Sequence, residues 1–110
     1  MRLSSNIEDK YSVIKFEVDQ ELGYEAKEFQ DAILDSLDKN VSAIIVDLSS
    51  VKFISSWGIG MLIHGLATTK NRGGEYKISG LADNVMDVFK KVKIDTVLSI
   101  YKSVDMAKSE

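Results

Sequence analysis

The chain has 110 residues, enough for one domain built around one hydrophobic core. Its 45% hydrophobic and 28% charged content is that of a soluble globular protein, with a net charge of only −3. The 14 basic residues are scattered, KNRGGEYK being the nearest approach to a cluster, which argues against a nucleic-acid partner; the absence of cysteine excludes disulfides, thiol catalysis and thiolate metal sites.

In chain order, YSVIKFEV (residues 11–18) alternates apolar and polar side chains imperfectly, at Val13, Lys15, Phe16, Glu17 and Val18. This predicts a strand with one covered face, and RLSSNIED before it offers a weak partner strand across a short turn. ELGYEAKEFQDAILDSLDKN predicts a helix whose inward stripe is Ala26, Phe29, Ile33 and Leu37, with Glu25, Glu28, Asp31, Asp35 and Asp38 off the stripe. SAIIVDL (42–48) is a continuous β-branched run, the mark of a strand buried on both faces. Ile59, Leu62, Ile63 and Leu66 again have helical spacing, and Gly73 with Gly74 supplies the stop. YKIS predicts the next strand, Asp83 or Asn84 caps a helix bearing Val85, Val88, Phe89 and Val92, TVLSIY is a last strand, and SVDMAKSE is a short terminal helix at most.

The alternation of helix and strand predicts an α/β fold, with one domain over residues 1–110 and a mixed, mostly parallel sheet flanked by helices. Parallel strands are expected at 43–48, 75–79 and 97–101, and helices near 25–39, 58–71 and 83–91. The expected core comprises Phe29, Ile33, Ile45, Leu62, Leu66, Val88 and Phe89. MRLSSNIEDK has no apolar signal core, and GIGMLIHGL is far shorter than the roughly 18 residues of a membrane span, so a cytoplasmic protein without a membrane partner is expected.

Little in the chain suits catalysis. Gly58, Gly60 and Gly65 follow a strand and open a helix, but Ile63 stands where G-x-G-x-x-G needs its third glycine. His64 is the only histidine, too little for a metal site. A triad of Ser55 or Ser56 with His64 is disfavoured, because G-x-S-x-G is absent and a histidine eight residues on is expected to point away from the helix start. Glu17, Asp19 and Glu21 read as ordinary solvated carboxylates. No enzyme activity, cofactor or metal is therefore expected. What remains is the junction FISSWGIG, where Ser56 is expected as N-cap, accepting from the amide of Gly58 or Ile59.

The segment VDLSSVKFISSWGIGMLIHGLATTKNRGGEYKISGLADNVMDVFKKVKIDTVLSIYKSVDMA resembles the STAS domain, specifically the bacterial anti-sigma factor antagonists. The likeness lies in a strand and short turn before an Asp-Ser-Ser-Gly-Leu-Gly type helix start, the paired glycine, the short amphipathic helix and the closing strand; it is strongest from Ala43 to Tyr101. The resemblance implies a binding protein, not an enzyme, whose partners are an anti-sigma factor with serine kinase activity and a serine phosphatase. The unphosphorylated antagonist would hold the anti-sigma factor and free a sigma factor. Aligning Gly58 and Gly60 puts the phosphoacceptor at Ser56, with Ser55 as second choice, and the partner-binding residues at Ser55, Ser56, Trp57, Gly58 and Ile59. Ser55 replaces the family's aspartate and Trp57 its small residue, and Gly23 stands near a place where an aspartate is common. These departures leave open a non-phosphorylated STAS scaffold, or a subunit of a regulatory or transport assembly, with Trp57 as a constitutive anchor. A small nucleotide-binding protein is the remaining alternative, and a weak homodimer is compatible with any of them.

Overall fold

A computed structural model describes residues 3–17, 21–22 and 26–109, residues 21–22 through their backbone alone. The readings placed on Val18, Asp19, Gly23 and Glu25 lie outside the described residues, as does the side chain of Glu21. The N-terminal strands β1 (Leu3–Glu8) and β2 (Tyr11–Phe16) pair antiparallel from Leu3↔Phe16 to Glu8↔Tyr11. Asp9 turns between them at φ 58, a left-handed conformation that a short polar side chain tolerates. Within β2 the fully covered side chains are Ser12, Ile14 and Phe16.

A second, very short pair follows: β3 (Glu21–Leu22) runs parallel to β5 (Phe53–Ile54). Helix α1 (Ala26–Asp38) leads into β4 (Ala43–Asp47), whose first four residues are buried as its β-branched run predicts. Helix α2 (Ser56–Asn71) leads into β6 (Glu75–Ser79), and α3 (Asp83–Lys91) into β7 (Ser99–Tyr101), with α4 (Val104–Ser109) last. Among the described residues the main sheet has five strands in the order β1-β2-β4-β6-β7, parallel from β2 onward.

The register divides the sheet into two faces. Ile44 and Val46 lie beside Tyr76 and Ile78, and this face joins Phe29, Ile33, Leu37, Leu62, Val85 and Phe89 in one core. Phe16 meets Phe29 with ring centroids 5.1 Å apart, and the buried Ser12 and Ser36 satisfy each other at 2.6 Å. Ile45 and Lys77 belong to the other face, which α4 covers. There the Lys77 ammonium donates to the Ala107 carbonyl at 2.8 Å and sits 5.4 Å from the Tyr101 ring centroid. Tyr11 Oη donates to the Lys108 carbonyl at 2.8 Å, and the Lys108 ammonium pairs with Glu8.

Several expectations need correction. Ala26 is exposed: as the first residue of α1 it precedes the point where the stripe meets the sheet. Leu66 and Val88 are only half-buried, because α2 and α3 point Leu62 with Gly65 and Val85 with Phe89 inward instead. Val92 lies past the end of α3 and is exposed. Neither Asp83 nor Asn84 caps α3; Ala82 holds the cap position and Asp83 is the first helical residue, where its charge faces the positive end of the helix. Val97 is 57% exposed and outside β7, since Ile94–Thr96 form a 3-10 turn that delays the strand to Ser99.

The stop of α2 follows the sequence closely. Gly73 takes φ +80, its amide donates to the Lys70 carbonyl at 3.0 Å, and the Gly74 amide donates to Thr69 at 3.0 Å. This is the Schellman ending, in which a left-handed glycine lets two amides reach back to the last turn.

Candidate functional site

The parallel strands deliver their carboxyl ends to one edge, where open sheets of this class place their sites. At the end of β4 the Asp47 side chain accepts from the Ser49 amide at 2.9 Å, and Val51 N donates to Leu48 O at 3.0 Å, so the chain turns at once. Leu48 and Val51 anchor that turn in the core. β5 then brings the chain to the start of α2.

Ser55 caps α2. Its backbone is extended (φ −92, ψ 171), its hydroxyl accepts from Gly58 N at 3.2 Å, and its carbonyl accepts from Ile59 N at 3.0 Å. The expectation of Ser56 in this role is therefore off by one residue. The helix already begins at Ser56, so the cap falls on Ser55, and Gly58, Met61, Leu62, Gly65 and Thr69 form its inward side. Ser56 is instead the first helical residue, exposed, and its hydroxyl bonds to no other described residue. Among the described residues the amides of Ser56 and Trp57 have no acceptor, as is usual in a first helical turn, and no acidic side chain occupies that turn.

Of the five predicted contact residues, two are presented. Ser56 and Trp57 are exposed, the indole at 74%; Ser55 and Ile59 are half-buried, and Gly58 is covered. The indole is therefore a surface group and no part of the core. His64 is also exposed and, contrary to the expectation that it points away, shares an open groove of about 500 Å³ with Ser56. Ala26, Trp57, Gly60 and Met61 complete its lining. Eight residues are about 2.2 turns, which sets His64 roughly 80° round the helix from Ser56, near enough for both to line one broad groove. Among the described residues no group of three or more histidine or acidic side chains could hold a metal ion.

The three glycines of α2 do not converge on one loop, which removes the geometry that a phosphate cradle would need. Gly65 faces inward: a Cβ there would come within 2.7 Å of Tyr76 Oη and 2.9 Å of both Ile33 Cδ1 and Phe29 Cε2. Gly60 faces outward and a Cβ there would meet nothing within 4 Å. Gly60, Met61 and Ala26 also line this groove, and sequence reasoning did not single them out as part of a site. The sequence carried no signal for them, because a helical glycine costs about 1 kcal/mol relative to alanine whichever way it faces.

Set beside known proteins, residues 4–107 match the family model described as the STAS domain. Similar solved structures include a candidate anti-sigma factor antagonist from Thermotoga maritima, 24% identical, with a TM-score of 0.80 over 97% of this chain and 92% of that one. An anti-sigma factor antagonist from Mycobacterium paratuberculosis is 20% identical, with a TM-score of 0.80 over 97% and 90% of the two chains. The anti-sigma factor antagonist SpoIIAA in its unphosphorylated form is 14% identical, with a TM-score of 0.76 over 97% and 94%. At these identities the likeness is one of fold. Among the described residues no helix is long and apolar enough to cross a membrane.

Proposed function

The chain belongs to the STAS domain family, and from that premise we propose that residues 1–110 act as one such domain, an anti-sigma factor antagonist switched by phosphate at Ser56. In the unphosphorylated form it binds an anti-sigma factor that is also a serine kinase, and so releases a sigma factor; a serine phosphatase resets the cycle. It is a binding protein and carries out no reaction of its own.

The observation that carries this reading is the division of labour between two adjacent serines. Ser55 holds the helix cap through Gly58 N, and Ser56 stands exposed beside an indole that is itself in solvent. A hydroxyl relieved of the cap can be modified without unmaking the helix. A phosphate adds roughly −1.5 to −2 charge at pH 7. At Ser56 it would lie beside the first-turn amides and the positive end of α2. The phosphorylated helix therefore stays folded, and the cost appears at the partner, where a doubly charged group must be desolvated.

The test is incubation with each purified anti-sigma kinase of the same genome and ATP, followed by intact mass and site mapping. One phosphate on Ser56 is expected, none on Ser56→Ala, with Ser56→Ala binding the kinase whether or not ATP is present. Ser56→Asp should bind at least tenfold more weakly. Phosphate mapping to Ser55 alone would overturn the assignment. No phosphate at all, with tight binding lost in Trp57→Ala, would favour the scaffold reading, which the 74% exposure of Trp57 also suits. Nucleotide turnover by the isolated chain would point to the nucleotide-binding alternative.

A further inference from the structure

Gly60 satisfies none of the reasons for which folded chains keep glycine. Its φ is not among the positive values, so no left-handed backbone demands it. Among the described residues nothing within 4 Å would meet an added Cβ, so no packing against them demands it either. Within a helix it is the residue type, proline excepted, that most weakens the element. The gap it leaves opens onto the floor of the groove of about 500 Å³, with Trp57 one turn before it and His64 one turn after. Ser56 lies four residues earlier on the same side, so the bare stretch of helix adjoins the proposed phosphoacceptor.

We infer that Gly60 is a contact position kept bare for the partner. An apolar side chain of the anti-sigma factor crosses α2 there, lying against the backbone at Gly60 and walled by the Trp57 indole and His64. The inference rests on the proposed function and adds where and how the partner seats. The indole supplies a large, rigid apolar wall of the kind that dominates protein contacts. Any side chain at position 60 would hold the partner off that wall. A phosphate one turn away would then act on a contact already pressed close to the helix, where its hydration is hardest to keep.

The experiment compares Gly60→Ala, Gly60→Leu and Ser56→Asp against the parent, with the purified anti-sigma kinases of the same genome as probes in calorimetric titration. Thermal midpoints are read in parallel. Both Gly60 variants should melt at or above the parent temperature, since helix propensity rises and no clash follows. Affinity should fall at least tenfold for Gly60→Ala and further for Gly60→Leu. Binding of Gly60→Leu within twofold of the parent, while Ser56→Asp is weakened, would overturn the groove and leave the switch standing. A lowered midpoint in both Gly60 variants would make the glycine structural and overturn the inference. Failure of the parent to bind any of these kinases would remove the functional reading and the inference with it.

Discussion

Gly65 and Gly60 stand five residues apart on α2 and do opposite things. Gly65 is buried where the helix presses on α1 and β6, and Tyr76 Oη, Ile33 Cδ1 and Phe29 Cε2 already fill the space a methyl group would take. Gly60 looks out over an open groove, where an added Cβ would meet nothing within 4 Å among the described residues outside its own stretch of helix. The same residue type thus marks close packing on one side of a helix and a vacated surface on the other. Glycine count and spacing cannot tell the two apart; the direction in which each faces does.

The contrast can be broken most forcefully from the buried side. Phe29→Ala removes a ring that is 1% exposed and forms one wall around Gly65, and it should cost roughly 3–5 kcal/mol in urea denaturation. An unchanged midpoint would mean that the α1–α2 contact is not packed as described. Gly65→Ala should cost about 1–3 kcal/mol by overpacking. Its nearest obstacle is an oxygen, so adding Tyr76→Phe should restore part of that loss, with a coupling of at least about 0.5 kcal/mol in a double-mutant cycle. The Tyr76 hydroxyl has no hydrogen-bond partner among the described residues, and burial pushes its pKa well above the usual phenol range, so removing it breaks no bond. The smallest effects sharpen the outer side. Ser55→Ala should lose about 1 kcal/mol with the cap, whereas Ser56→Ala should stay within about 0.5 kcal/mol of the parent. Equal losses in the two would mean that the cap is shared.

Much of the architecture was legible because single residues carried it. The β-branched run at Ile44–Val46 needed cover on both faces, and it found helices on one and α4 on the other. Gly73 and Gly74 wrote the end of α2 into the chain. The rotation of α2 was legible only in part: of the stripe Ile59, Leu62, Ile63 and Leu66 only Leu62 is fully buried, and the other inward positions include Gly58, Gly65 and Thr69. Close approach selects small side chains, and an apolar pattern does not register them. The same rotation turned His64 toward the groove, and the cap falls on Ser55 because α2 already begins at Ser56. The two-residue strands β3 and β5 are too short to leave a period, and Val97 carries strand propensity into a turn.

At the far side of the sheet, α4 has six residues, fewer than a helix needs to persist in water by itself. Its fastenings come from distant parts of the chain: Tyr11 in the opening hairpin grips the Lys108 carbonyl, and Lys77 in a central strand grips that of Ala107. Lys77 is only 5% exposed, so lifting α4 would strip the Ala107 carbonyl from an ammonium deep in the fold as well as wetting apolar surface. The short helix is therefore held by its contacts with the sheet rather than by its own length. The opening hairpin and the interior strand β6 both hold α4, and through it the two extremities of the described chain are tied to each other.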